Sequence, residues 1–471
     1  MPFQLQQIPE ESKLCHEWRL PLLERYYPRE VVGELLSQCH AWETRERKLS
    51  QLLIVYYIIG LSLFRQDIVT AVFAHLCRGL RWLWPDPAVR LPTGGALTAR
   101  REQLGVPVVR WLFRRCCRPL ATEATKGAFA WGLRLMAIDG TLDEVPDTPA
   151  NALHFGRLSS GRNQSAFPQI RCLYLLEVGT HAIVDAIAAR CKASEQALCQ
   201  SLLRSITAGM LLLCDRNFFS LAWLAACQQQ GAEVLCRLAA GLLKQPSRLL
   251  ADGSYLVTCS RKGQPPLTLR VIEYELHPLF AAELSLLPLS RSCNPAKPGQ
   301  KHRLLTTLLD PAQAPALALI QLSHERWEIE VSLDELKIHQ RLSPRPLRSK
   351  SLDLLYQEFY GLLLAHYAIR AWIHEAAVQS DLDPDRLSFT HALQVLDSAC
   401  FESAIIHPSH WPAFTGRLLA DLSEPKYRLP PRRLRFCARV VKHPFSHFRC
   451  KQSCHPSYHF KGYQFADLLL I

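Results

Sequence analysis

The stretch His324-Glu325-Arg326-Trp327-Glu328-Ile329-Glu330-Val331-Ser332-Leu333-Asp334-Glu335-Leu336-Lys337 governs how the rest of the chain is read. At about 100° per residue with Arg326 at zero, Glu330 falls near 40° and Lys337 near 20°, so three ionised groups share one helical face. Leu322, Ile329, Leu333 and Leu336 fall between about 280° and 340°, beside that face. The charged stripe therefore borders burial, where an ordinary surface helix would turn it to water. His324, Glu328, Ser332 and Glu335 fall between about 160° and 240°, which predicts an outward, solvated sector. Taken alone, an Arg326–Glu330 pair one turn apart, worth a few tenths of a kcal/mol, accounts for the pattern as well as a functional site does.

Two strands upstream shift the balance. Leu133-Arg134-Leu135-Met136-Ala137-Ile138-Asp139-Gly140 reads as a short apolar strand ending in an acid and a glycine. Gln169–Val178 and His181–Ala186, joined by Gly179-Thr180, read as a hairpin. After a helical Ser194–Ala208, Gly209-Met210-Leu211-Leu212-Leu213-Cys214-Asp215 is a second apolar strand ending in an acid, and Asn217 is placed to cap a helix over Phe218–Gln230 that Gly231 ends. Asp139 alone reads as a turn residue. With Asp215 at the same position of a second strand and Glu330 on a packed helix, three carboxylates form a set suited to two divalent cations, magnesium or manganese, for in-line phosphodiester chemistry.

Composition agrees with a nucleic-acid partner. Among 471 residues, 55 Lys and Arg stand against 42 acids, a net charge of +13 that favours a polyanion. The longest apolar run, Leu52–Phe64, is shorter than the roughly 20 residues that cross a bilayer, and the first residues lack the pattern of a signal peptide. No membrane association is expected, and the expected location is the cytoplasm. Most of the 17 cysteines read as reduced and buried; Cys437, Cys450, Cys454 and His455 lack the second close pair of a zinc site.

Residues 1–130 read as a helical region, either a basic DNA-binding module or, equally well, a helical cap with a solvated basic face, with Gly94-Gly95 and Pro107 marking turns between helices. Residues 131–232 and 313–400 read as the two parts of one α/β domain, divided by a β-rich insertion over 233–312. A long apolar helix over Leu352–Ala377 reads as core. Residues 401–471 form a basic C-terminal region; between Glu424 and Lys461 ten Lys or Arg face one acid. Arg341, Arg345, Arg348 and Lys350 are expected on an extended loop, interrupted by Pro344 and Pro346. These bases, with Arg432, Arg433 and Arg435, are candidates for phosphate contacts.

The chain resembles a DDE transposase of the bacterial insertion sequence four family. The matching pieces are Ala137-Ile138-Asp139-Gly140-Thr141, Leu212-Leu213-Cys214-Asp215-Arg216-Asn217-Phe218-Phe219, and Arg326-x3-Glu330-x6-Lys337, with Leu97-Thr98-Ala99-Arg100 and Tyr360-Gly361-Leu362-Leu363-Leu364-Ala365-His366-Tyr367 in agreement. The resemblance implies an RNase H-like catalytic domain, a mixed sheet flanked by helices, with an inserted β-rich subdomain and an all-helical N-terminal domain. It implies that Asp139, Asp215 and Glu330 bind two Mg²⁺ or Mn²⁺ ions, and that Arg326 and Lys337 grip the terminal phosphates of an element's DNA end. Double-stranded DNA, as terminal inverted repeats and as target, is the implied partner, with a dimer in the synaptic complex. Ser323 stands where the signature has tyrosine. No Trp occurs between Trp223 and Trp327, which leaves Tyr255, Tyr274 or Phe280 to stack on a flipped base. A nuclease of the same fold without strand transfer, and a DNA-binding relic without catalysis, remain the alternatives.

Overall fold

The computed structural model describes the chain except residues 1–2, 46, 65–66, 87–89, 161–162, 239–245, 262–263, 277–300, 342–345, 433–468 and 471. In chain order the elements that frame the site are α1 (Arg29–Gln38), α2 (Gln51–Leu63), α3 (Val69–Leu76), α4 (Gly94–Leu104), α5 (Pro107–Cys116), β1 (Leu133–Glu144), β2 (Gln169–Glu177), β3 (Ile183–Arg190), α6 (Glu195–Leu202), β4 (Met210–Cys214), α7 (Leu221–Gln229), β5 (Glu233–Arg237), β6 (Tyr255–Arg261), β7 (Gln264–Leu276), β8 (Lys301–Thr306), α8 (Ala316–Glu325), α9 (Trp327–Asp334), a π-helical turn Glu335–Gln340, α10 (Leu352–Gln379), α11 (Phe389–Ile405) and α12 (Trp411–Leu422). The chain forms two compact units. Residues 1–129, 139–205 and 328–430 compose the first, and 130–138, 206–327 and 431–471 the second.

In the first unit α2 is apolar on every side and buried from Gln51 to Ser62, which only a helix surrounded by others can satisfy. Ser50 starts it by accepting from the Leu53 amide at 3.3 Å. Its neighbour is α10, the expected long core helix. The polar groups of that core are paired: Arg101 Nε donates to Gln357 Oε1 at 3.2 Å, and Gln357 Nε2 donates to the Arg101 carbonyl at 2.7 Å. Contrary to the expectation of turns, Gly94 is the first residue of α4 and Pro107 the first of α5. Pro suits that position because the amide it lacks would have no partner within the helix. Strands β2 and β3 form the expected hairpin, antiparallel with Leu173 opposite Ile187.

The second unit is built on one mixed sheet. The first half of β1 runs parallel to β4, and β4 parallel to β5. β8 is antiparallel to β5, β7 to β8, and β6 to β7. The strands read from sequence as an insertion thus continue a sheet that the parallel strands begin. Met210-Leu211-Leu212-Leu213-Cys214 is wholly buried, as a parallel strand covered on both faces should be. Asn217 does not cap a helix. It lies in a 3₁₀ turn, Arg216–Phe218, and Ser220 precedes α7. Gly231, at φ +76°, follows that helix as expected.

The helix expected over 314–340 is broken. α8 ends at Glu325, α9 starts at Trp327, and the last stretch widens into the π turn. Among the described residues, no helix is long and apolar enough to cross a membrane.

Candidate active site

Strand β1 does not end at Asp139-Gly140 as the sequence suggested; it runs on to Glu144. Its pairing with β4 ends where expected, at Ile138 opposite Cys214. The next residue along each strand is an acid, Asp139 in the first unit and Asp215 in the second. Both are half-buried. Asp139 accepts from the Gly140 amide at 2.8 Å. A Cβ at Gly140 would lie 2.6 Å from Glu195 Oε1, so any larger residue would push aside the Glu195 carboxylate that pairs with Arg171. Asp215 keeps extended backbone and its carbonyl accepts from the Phe218 amide at 3.1 Å, which turns the chain sharply after the acid.

Glu330, also half-buried, lies on α9 in the first unit. On the π turn that follows, Lys337 Nζ donates to the Thr141 hydroxyl, and to the Leu142 carbonyl at 3.3 Å. It lies 3.2 Å from Asp143 Oδ1. The same oxygen holds Arg341 Nη1 at 2.8 Å. Arg341 is buried on this pair and not on the extended loop the sequence suggested. Asp143, which joins Lys337 and Arg341, is a partner that the sequence reading missed. The signal was available: Asp139, Thr141 and Asp143 alternate along one strand and so share a face.

The outward sector of the opening helix is corrected outright. Glu328, Ser332 and Glu335 are buried, while Trp327 and Ile338 are exposed. The buried acids meet His181 from the β2–β3 turn. His181 Nε2 lies 2.8 Å from Glu328 Oε2 and 3.3 Å from Asp385 Oδ1, and its Nδ1 lies 3.3 Å from Glu335 Oε1. Arg370 on α10 pairs with Glu335 through Nε at 2.8 Å and through Nη2. His366 Nε2 stands 3.6 Å from Glu335 Oε2. Burial would raise the Glu335 pKa, but Arg370, His181 and His366 hold it well below the usual carboxylate range. Burial and Arg370 oppose protonation of His181, yet Glu335 and Glu328 outweigh them and leave its pKa raised.

The remaining candidates divide. Arg326 is buried, with its guanidinium 5.6 Å from the centre of the Trp327 ring. Ser323 donates its hydroxyl to the Ile320 carbonyl at 2.7 Å. Arg348 donates to the Asp67 carbonyl at 3.0 Å and to the Leu61 carbonyl, so it ties the chain after the π turn to the end of α2. Lys350 is exposed and Arg432 half-buried. Arg345, Arg433, Arg435, Cys437, Cys450, Cys454, His455 and Phe280 lie outside the described residues. Tyr274 is buried against His302, with ring centres 5.3 Å apart. Tyr255 donates to Glu273 Oε1 at 2.9 Å.

Two family models match the chain: insertion element 4 transposase N-terminal over residues 18–114, and transposase DDE domain over residues 130–367, just over half of the chain. The chain is 28% identical over 426 residues to transposase InsG for insertion sequence element IS4 of Escherichia coli (strain K12), covering 90% of this chain and 92% of that protein. It is 26% identical over 211 residues to the putative transposase InsZ of the same organism, covering 45% of this chain and 68% of that one. A solved structure of piggyBac transposase in a synaptic complex with hairpin DNA aligns with a TM-score of 0.41 and 10% identity, over 90% of this chain and 88% of that one.

Proposed function

Because this chain belongs to the DDE transposase family with an insertion element 4 N-terminal region, we propose that Asp139, Asp215 and Glu330 are the acids of its transposition chemistry. The chain is a DNA transposase, an enzyme that cleaves DNA and transfers strands. The register of the sheet carries the residue assignment: Ile138 opposite Cys214 in parallel puts an acid one step beyond the last pair on each strand. An RNase H-like core is the architecture we infer from that parallel pair together with the antiparallel hairpin between its strands in sequence.

The donor set fits hard cations. It consists of three half-buried carboxylates without imidazole or thiol, which suits Mg²⁺ or Mn²⁺. Bound there, two such ions would activate the attacking hydroxyl or water and stabilise the leaving oxygen of an in-line displacement. Lys337 has the separate task of meeting a DNA phosphate. Asp143 and Thr141 hold its ammonium beside the strand that carries Asp139, so little side-chain freedom is lost when the phosphate arrives. Arg326 is proposed as its partner on the terminal phosphates, and exposed Lys350 as a backbone contact. The DNA is the double-stranded end of the element, and holding two ends at once calls for a dimer in the synaptic complex.

The test is cleavage and joining of a duplex carrying the element's end, with Mg²⁺ and a target plasmid. Glu330→Gln and Asp215→Asn should each lose both products while mobility-shift binding of the duplex survives. Undiminished cleavage in either variant removes that acid from the assignment. Cleavage without any joining by the unaltered chain would point to a nuclease lacking strand transfer.

A further inference from the structure

We propose that His181 Nε2, Glu328 and Asp385 form a structural divalent-cation site in the first unit, distinct from the acids of the transposition reaction. The three groups offer ligand atoms that all lie within 4.8 Å of one another, and all three side chains are buried. Tetrahedral ligands about 2.0–2.2 Å from one zinc ion stand about 3.3–3.6 Å apart, so the set must draw together by about an ångström to hold the ion.

The hydrogen-bond arithmetic at His181 favours a cation. Nε2 carries at most one proton, yet it faces Glu328 Oε2 at 2.8 Å and Asp385 Oδ1 at 3.3 Å. One proton directed at Glu328 cannot also serve Asp385 well, whereas one ion among the three atoms serves both. On the other side of the ring Nδ1 faces both the Glu335 carboxylate, at 3.3 Å, and the donor Arg370 Nη2; a cation on Nε2 requires the Nδ1 proton to be directed at Glu335, with Arg370 turned wholly onto that carboxylate, which it already holds through Nε and Nη2. A donor set mixing nitrogen and oxygen selects zinc, cobalt or manganese over magnesium.

The backbone around the ring supports a built site. Turns between strands are normally exposed, but every residue from Val178 to Ala182 is buried here. His181 itself holds φ +59°, an uncommon conformation for a side-chain-bearing residue that persists where its surroundings over-determine it. The ion would tie this turn to α9 and to the short turn Pro384–Arg386. With all three ligands buried, substrate has no access, and the role is to hold the helix that carries Glu330. The cation site itself does not depend on the assignment of Asp139, Asp215 and Glu330. A protonated His181 is the competing occupant of the same position.

Zinc binding to the purified full chain, stripped with EDTA, separates the two. Elemental analysis after Zn²⁺ titration and desalting should find one equivalent retained, and Co²⁺ should give the visible absorption of an ion with a nitrogen ligand. Glu328→Gln and Asp385→Asn preserve side-chain size and should each weaken Zn²⁺ at least about tenfold. The double variant Asp139→Asn, Asp215→Asn should retain the equivalent. Absence of retained zinc, retention undiminished in both ligand variants, or loss only in the Asp139/Asp215 variant would each overturn the proposal in favour of the protonated imidazole or of adventitious binding elsewhere.

Discussion

Lys337 Nζ lies 3.2 Å from Asp143 Oδ1. That oxygen is also the partner of buried Arg341, so one carboxylate separates two cations that would otherwise face each other in a poorly solvated place. Asp143→Asn keeps the shape and removes the charge. Breaking a buried pair from one side typically costs about 3–5 kcal/mol. Lys337 is half-exposed to water, which softens its part of the loss, so the lower end of that range is expected. Urea unfolding measures it: a midpoint equal to that of the unaltered chain would mean that Arg341 and Lys337 find other partners at no cost.

In the second unit Arg270 plays the corresponding part. Its buried guanidinium donates from Nε to Ser254 Oγ at 2.8 Å, from Nη1 to the Ala314 carbonyl at 2.7 Å, and from Nη2 to Asp252. Asp252 in turn accepts from the Ala316 amide at 2.9 Å, at the start of α8. Arg270→Met retains much of the apolar stem but leaves Ser254, Ala314 and Asp252 short of a donor. A loss of about 3 kcal/mol or more is expected. Hydrogen exchange provides the check, because faster exchange should appear at the start of α8 and in the turn around Gly253 before anywhere in the hairpin of the first unit.

The parts of this molecule that could be read from the sequence are those where a short-range period reports burial directly. The apolar run into Asp215, the hairpin joined near Gly179-Thr180 and the long apolar α10 each appear where their patterns place them. Glu328 and Glu335 could not be read that way. A helical wheel assumes one straight helix with one buried face, but the chain breaks at Arg326, widens after Asp334, and is covered on several sides. What covers the second side is polar: His181, Arg370 and Asp385 lie 147, 42 and 57 positions from Glu328 (328 − 181, 370 − 328, 385 − 328), and no local pattern in sequence announces such partners. Asp143 was legible in principle, since alternation from Asp139 marks it, but a strand expected to stop at Gly140 left it outside the pattern.

Gly361 gives a packing prediction of definite sign. It sits in α10 where α2 crosses, and a Cβ there would lie 2.8 Å from the Ile58 carbonyl oxygen and 2.9 Å from Ile58 Cγ2. Exchanging glycine for alanine in an open helix stabilises by up to about 1 kcal/mol. Here the contact is with backbone that cannot step aside, so the two helices must separate. Gly361→Ala should therefore destabilise by about 1–3 kcal/mol. Gly416→Ala on α12, where nothing lies within 4 Å of the added carbon, is the matched control and should be neutral or stabilising. A calorimetric Tm for the pair decides it, and equal shifts in both would remove the close crossing from the account.

His324 links the second unit to pH. Burial, with Arg237, His302 and Arg326 around it, pushes its pKa down to about 4, and burial and Arg237 lower His302 as well. In the unfolded chain a histidine titrates near 6.5. Below that value the unfolded state takes up a proton that folded His324 refuses. The stability His324 contributes is therefore complete above about pH 6.5 and is lost progressively as pH falls towards 4. Partial exposure lets water screen the effect, so about 3 kcal/mol is an upper bound. His324→Gln retains a polar side chain of similar length without a titrating group, and its Tm should fall less steeply between pH 7 and pH 4.5. Carboxylates titrating in the same range affect both proteins alike, so the difference between the two curves isolates the histidine; curves that run parallel throughout would show that His324 is solvated enough to titrate as it does in the unfolded chain.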